Sequence, residues 1–307
     1  MTLGVGDDAA LLRPAPGAEI VATVDMLVAG RHFFPDVDPE ALGHKTLAVN
    51  LSDIAAMGAT PKWALLAGAL PDNDPAWVAA FARGFFALAD AHGVDLVGGD
   101  TTRGPLNLCV TLLGEVPIGN AIRRSGAMPG DGVYVSGRLG DAALALAAMT
   151  GRTTLAPADL AACRARLERP QPRVALGQHL RGVASAMLDV SDGLTGDLGH
   201  ILDASEKGAT LDLSAIPRSP ALEAMLATGE SALALESLLA GGDDYELCFT
   251  APRSAMPRID AIARELALPL TCIGEIVAGA GLVVRDAQGI ALPSLPRAFD
   301  HFAAAAT

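Results

Sequence analysis

The sequence predicts an α/β (α+β) protein of two domains, each with a mixed, mostly antiparallel sheet flanked by helices. Three observations lead there. The chain has 307 residues, enough for two domains that each bury a core. Apolar strand-like runs alternate with helical ones, yet some neighbouring strands have only short links, which favours antiparallel pairing. Pro, Gly and Arg cluster in PIGNAIRRSGAMPG at 117–130, which reads as a boundary. One domain is therefore expected over 1–118 and the other over 128–307.

The elements follow from local chemistry. Residues 20–25 alternate apolar and small side chains and predict a strand ending at Asp25. Asp38-Pro39 reads as an N-cap with proline at the first helical position, and Gly58 and Pro61 read as the stop. A strand is expected over 63–70, an amphipathic helix over 75–92, a short strand over 95–99 running into the loop GGDTTRG, and a long strand over 106–116. In the second domain strands are expected at 133–136, 186–190, 209–213, 270–277 and 281–285. Helices are expected at 141–150, 195–205, 231–240 and 256–266, with a helical stretch at 159–182 broken by PQP. GGDDYELCFT reads as a loop entering a strand. LSD and VSD, and two copies of GGD, hint at halves of related design.

Composition narrows the function. There are 22 basic against 35 acidic residues, a net charge of −13, with no basic run, which disfavours a nucleic-acid partner. Thirty-three glycines and few aromatics (eight Phe, two Trp, two Tyr) let ligands approach the backbone closely. The four cysteines form no CxxC pair, so free thiols in a reducing compartment are expected. No apolar run is long enough to span a bilayer and no signal segment opens the chain. A soluble, cytoplasmic protein without a membrane partner is the expectation.

The recurrent feature is an aspartate closing a strand or a glycine turn: Asp7-Asp8, Asp25, Asp53, Asp100, Asp189 with Asp192, and Asp243-Asp244. Asp53 stands out, because it falls near the negative end of its helix, where an anion is disfavoured and a cation is wanted. Gly-Asp is also an ordinary turn pair, but a converging set would repel itself. Two carboxylates ~4 Å apart cost roughly 4 kcal/mol at an effective dielectric of 20. All-oxygen donors select hard cations, and Mg²⁺ shares its shell with phosphates. Walker and protein-kinase motifs are absent, so metals, glycine-turn amides and isolated arginines such as Arg103 and Arg124 must hold any nucleotide.

The blocks GDDAALL, TVDMLVAGRHF, HKTLAVNLSDIAAMGA, GGDTTRG, RSGAMPGD, PRVALG, LDVSDGLTGDLGHI, GGDDYELCFT and FDHF run in order along nearly the whole chain. Together they resemble the thiamine-monophosphate kinase family, within the superfamily of aminoimidazole ribonucleotide synthetase. That resemblance implies two domains of the synthetase type, ATP-dependent phosphorylation of thiamine phosphate, several Mg²⁺ ions, and a homodimer joined through the N-terminal domains. Carried over residue by residue, it implies metal binding by Asp8, Thr23, Val24, Asp25, Asp53, Asp100, Asp189 and Asp192. It implies ATP contacts from Gly99, Asp100, Arg124 and Ser191, and a thiamine phosphate pocket lined by His32, Asp243 and Phe299. Asp53, shared between metals, would be central to catalysis, with Asp25 and Asp100 on the ATP side of an in-line transfer.

The chain departs from the family pattern in three places. The family carries a helix ahead of GDD that is missing here. Asp243 stands where glutamate is usual and Phe299 where tyrosine is common. Val24 could ligate a metal only through its carbonyl. Two other readings fit the same acidic motifs: another ATP-dependent enzyme of the superfamily, of the ribonucleotide synthetase or selenophosphate synthetase type, and a non-catalytic Mg-nucleotide binder.

Overall fold

A computed structural model describes residues 2–296 of the chain. It divides into two units, Met1–Ile122 with Glu168–Gly182, and Arg123–Leu167 with Val183–Thr307. The first unit is built from β1 (Ala18–Val28), α1 (Pro39–Ala56), β2 (Thr60–Leu70), α2 (Pro75–His92), β3 (Asp95–Arg103) and β4 (Asn107–Pro117). Its sheet runs β1-β4-β2-β3. The β1–β4 and β2–β4 pairs are antiparallel and β2–β3 is parallel.

Helix α1 is the body of this unit. Asp38 accepts the N–H of Glu40 at 3.0 Å and Pro39 opens the helix, as the sequence predicts. Gly58, at φ +65°, follows its end. Fourteen of its 18 residues are buried, because it packs on β1, β2 and β4 on one side and on α2 on another. The approach to α2 depends on glycine: a Cβ at Gly43 would lie 2.0 Å from the Phe81 carbonyl oxygen, and one at Gly84 1.8 Å from that of Glu40. On β4, Leu108, Val110, Leu112 and Val116 are buried while the intervening residues are less covered, the period-2 pattern of a strand with one packed face.

Two sequence expectations change here. Pro61 does not only stop α1; it lies within β2, next to an irregularity at Pro61/Trp63, where a missing N–H is tolerated. GGDTTR is not a loop but the second half of β3. Gly99, at φ +152°, makes this possible, since a Cβ there would sit 1.9 Å from the Leu66 carbonyl oxygen in β2.

The second unit contains β5 (Gly132–Ser136), α3 (Asp141–Met149), α4 (Pro157–Glu168), β6 (Ala186–Val190), α6 (Leu194–Ser205), β7 (Gly208–Asp212), α7 (Pro220–Leu226), α8 (Ser231–Ala240), β8 (Glu246–Ala251), α9 (Met256–Glu265), β9 (Leu270–Val277) and β10 (Gly281–Arg285). Its sheet order is β10-β7-β9-β5-β8-β6, with only β10–β7 parallel. Val133, Val135, Leu188, Val190 and Ile273 from the sheet meet Leu194, Leu198, Ile201 and Leu202 of α6 and Leu238 and Leu239 of α8. The short α7, capped by Ser219, has too few turns to show a period and was not expected.

The helix α5 (Val174–His179) falls in the first unit, although the sequence boundary assigned it to the second. Gly177 explains its seat: a Cβ there would meet the Ala55 carbonyl oxygen at 2.0 Å. His44 Nε2 also lies 2.7 Å from the Pro170 carbonyl oxygen.

Candidate functional site

In the first unit, β1 and the end of α1 bring part of the predicted set together. Along β1, Thr23, Asp25 and Leu27 alternate with the exposed Val24, Met26 and Val28, so the first three share the face on which α1 packs. The Thr23 hydroxyl donates to Asp53 Oδ2 across that contact. Asp53 thus lies against β1, two residues along the strand from Asp25. One turn earlier on α1, Asn50 is fully buried; its Nδ2 donates to the Thr46 carbonyl at 3.3 Å, and its Oδ1 has no protein partner.

Asp100 is not part of this group. It stands on β3, in register with Ala67, Cys109 and Met26. β3 and β1 are the two edges of the sheet, three inter-strand spacings or roughly 14 Å apart. One chain therefore keeps Asp100 and Asp25 on opposite edges. Val24 projects from the exposed side of β1, so only its backbone is available for metal ligation. Asp8 is exposed in the leading segment, where its N–H donates to Asp7 Oδ1 at 2.9 Å.

His32 follows β1. Its Nδ1 accepts the Val28 N–H at 3.0 Å, which puts the proton of a neutral ring on Nε2. Its carbonyl accepts from Lys45 Nζ at 3.2 Å. Lys45, on α1 and only 2% exposed, holds this loop.

In the second unit two loops meet. Asp189 is the penultimate residue of β6 and is buried; Ser191 and Asp192 follow the strand before α6. The GGDD loop runs beside them, with Asp243 N–H donating to the Ser191 carbonyl and Tyr245 N–H to the Val190 carbonyl, both at 2.8 Å. Asp243 and Tyr245 have φ of +68° and +50°, and a Cβ on Gly242 would meet the Ser191 carbonyl oxygen at 2.4 Å. The Tyr245 hydroxyl donates to Asp243 Oδ1 at 3.2 Å. Sequence reasoning proposed Asp243 and Ser191 separately; the structure makes them neighbours.

Behind the GGDD loop lies a buried acidic network. Asp244 accepts the Gly140 N–H at 2.9 Å on each oxygen. Burial raises its pKa well above the ordinary carboxylate range, Gly140 acts against that rise, and Glu246 and Asp141 add to it. Glu246, fully buried, accepts from Ser136 Oγ and from Arg166, each at 2.5 Å. A third buried carboxylate, Asp197 of α6, accepts the N–H groups of Ser191 and Asp192 at 3.0 Å each. Its own pKa is pushed up to about 6, chiefly by burial. Arg124 is exposed in the loop ahead of β5, and Phe299 lies outside the described residues.

Among the described residues no three His, Cys, Asp or Glu side chains form a ready cation cage. Magnesium does not need one: it keeps several waters and takes one or two carboxylates plus substrate phosphates. Asp53 bonded to Thr23, with Asp25 two residues along the same strand face, and Asp189 with Asp192 three residues on, are oxygen-only donors of that kind. The buried, orphaned Asn50 Oδ1 marks a further acceptor that a water or hydrated cation would satisfy. These residues fit the ion. A cavity of about 1000 Å³ in the second unit, lined by Tyr134, Asp212, Arg253, Cys272 and Glu275 among others, includes none of the predicted site residues.

The domain family AIR synthase related protein, N-terminal domain, matches residues 6–116, and its C-terminal counterpart matches residues 128–287. Thiamine-monophosphate kinase of Escherichia coli K12 is 46% identical over 304 residues, covering 98% of this chain and 92% of that protein. The chain belongs to the thiamine-monophosphate kinase family.

A crystal structure of thiamine-monophosphate kinase from Stenotrophomonas maltophilia K279a superposes with a TM-score of 0.87 at 48% identity, covering 94% of this chain and 92% of its own. A structure of AaThiL complexed with AMPPCP and TMP gives a TM-score of 0.81 at 31% identity, covering 97% and 92%. Hydrogenase maturation protein HypE of E. coli, at 22% identity and a TM-score of 0.76, shares the fold. Membership in the kinase family bears out the two-domain α/β architecture with mixed sheets. Lys45 and Asp197, which sequence reasoning passed over, lie inside the motifs HKTLAVNLSD and SDGLTGD. A lysine and an aspartate flanked by apolar helix positions were the available signal, because such side chains are rarely buried without a partner.

Proposed function

We propose that this chain transfers the γ-phosphoryl group of ATP to thiamine phosphate, giving thiamine diphosphate and ADP. The observation that carries the reading is the pairing of two loops: the Asp243 N–H donates to the Ser191 carbonyl at 2.8 Å. The residue assigned to the acceptor thereby sits beside the one assigned to ATP. Family membership and the complex of a similar structure with AMPPCP and TMP support both substrates.

The chemistry is direct, in-line transfer. An oxygen of the thiamine phosphate forms a bond to the γ-phosphorus while the bond to the β–γ bridging oxygen breaks, and ADP leaves with that electron pair. The attacking oxygen is already anionic, so no strong general base is needed. Asp8, Thr23, Val24 (through its carbonyl), Asp25, Asp53, Asp100, Asp189 and Asp192 are assigned to Mg²⁺, which when bound relieves the repulsion between two polyanions. Gly99-Asp100, Arg124 and Ser191 orient the nucleotide. His32, Asp243 and Phe299 are the residues proposed to orient the acceptor, a phenyl ring being able to stack on a cationic heterocycle.

A homodimer belongs to the same proposal. Ile20, Val24, Met26 and Val28 of β1 and Leu65 of β2 are exposed, and Val24, Thr111 and Leu65 stand in one row across the sheet. This apolar face suits a second copy, which would bring an Asp100 of its own to a sheet that separates Asp100 from Asp25. The four cysteines are free thiols, as suits work in the reducing cytoplasm.

The transfer is tested with γ-labelled ATP. Label is expected in thiamine diphosphate and not on the protein. A labelled protein band formed without acceptor would overturn direct transfer.

A further inference from the structure

Helix α6 touches both loops assigned to the nucleotide, one with each end. At its start, Asp197 Oδ2 accepts the N–H groups of Ser191 and Asp192 at 3.0 Å each. At its last residue, Ser205 Oγ accepts the N–H groups of Gly126 at 3.2 Å and Ala127 at 3.1 Å, and donates to the Arg124 carbonyl at 3.4 Å. Leu194 at its first residue, and Leu198, Ile201 and Leu202 between the two contacts, anchor the helix in the core. Neither loop can relax freely around the grips. A Cβ on Gly126, at φ +126°, would meet the Ser185 carbonyl oxygen at 2.4 Å, and one on Gly193, at φ +112°, would meet the Ala240 carbonyl carbon at 2.5 Å.

Helix-end hydrogen bonding alone would account for Asp197, since a first-turn carboxylate satisfies backbone donors ahead of a helix. It would not account for Ser205, whose hydroxyl bonds a distant segment, the one that carries Arg124. We propose that Asp197 and Ser205 are positioning residues that use α6 as a rigid brace, setting the backbone of Ser191 and of Arg124 in one fixed relation for the phosphates of ATP. This rests on the assignment of those two loops to the nucleotide. Positioning of this kind matters because a shift of about 1 Å can cost a hundredfold in rate.

The test compares Asp197→Ala, Asp197→Asn and Ser205→Ala with the wild type. It reads the Kd for Mg·AMPPCP by equilibrium binding, the KM for each substrate, and the melting temperature. Asp197→Ala and Ser205→Ala are each expected to weaken nucleotide binding about tenfold, roughly one lost or misplaced charge-assisted contact. The KM for thiamine phosphate should move less than about threefold, and Asp197→Asn, which keeps an acceptor, should recover most of the loss. Nucleotide affinity within about twofold of wild type in the folded alanine variants, with only the melting temperature changed, overturns the brace. If Asp197→Ala does not fold, Ser205→Ala decides alone. Because the Kd is read without turnover, a wild type that binds nucleotide yet phosphorylates nothing would sink the proposed function and leave the brace standing.

Discussion

Asp53→Asn is expected to lower turnover by at least about a thousandfold while the protein stays folded. The asparagine keeps the shape of the side chain and an oxygen able to accept from the Thr23 hydroxyl, the bond seen here at Asp53 Oδ2. What it removes is the charge. That charge stands in the last turn of α1, whose final residues carry no basic side chain, so its loss relieves an unfavourable dipole interaction of about 0.3–1 kcal/mol. Unfolding free energy should therefore change by no more than about 1 kcal/mol, and the sign can favour the variant. Rates and melting curves measured on one sample separate the two effects. Turnover within tenfold of wild type would show that the Asp53 charge is not what the reaction uses.

Gly84→Ala is expected to destabilise the first unit by about 3 kcal/mol, at the upper end of overpacking costs. The added methyl would lie 1.8 Å from the Glu40 carbonyl oxygen and 3.1 Å from the His44 nitrogen, both backbone atoms of α1. No rotamer change can relieve a clash with backbone, so α2 must move away. The Trp77–Phe81–Phe85 stack, with centroids 5.4 Å and 6.2 Å apart, would be pulled with it. Because α1 carries Asp53, activity near the melting transition should fall as well. Chemical denaturation reads the free energy directly, and a change below about 1 kcal/mol would mean that the crossing is looser than described.

Much of this fold was legible in the sequence because it is written in local chemistry. Asp38-Pro39 starts a helix where a side-chain cap and a proline predict it, the amphipathic helix begins at Pro75 as expected, and Asp95 and Ala186 open strands where strands were expected. The interior of β3 was not legible: GGD looks like a turn until β2 is placed beside it, and only the Leu66 carbonyl shows why Gly99 is needed. The excursion of α5 depends likewise on a distant glycine contact, Gly177 against Ala55.

The candidate residues show the same limit. Motifs named Asp25, Asp53 and Asp100 together, but sheet order puts Asp100 on the opposite edge from Asp25, a fact that no spacing along the chain encodes. Lys45, Asp197 and Ser205 were passed over because what each does, holding the backbone of His32, of Ser191 and Asp192, and of Gly126 and Ala127, shows only once the chain is folded. Motifs named Asp243 and Ser191 as candidates, and their hydrogen-bonded contact came only with the fold.

The central claim is an ATP-dependent transfer to thiamine phosphate, and the direct measurement is ADP release from Mg·ATP with and without thiamine phosphate, with products separated by chromatography. ADP is expected to appear only with the acceptor, in step with an equal amount of thiamine diphosphate. ADP release that does not depend on thiamine phosphate, or no thiamine diphosphate from a folded, nucleotide-binding protein, would contradict the account.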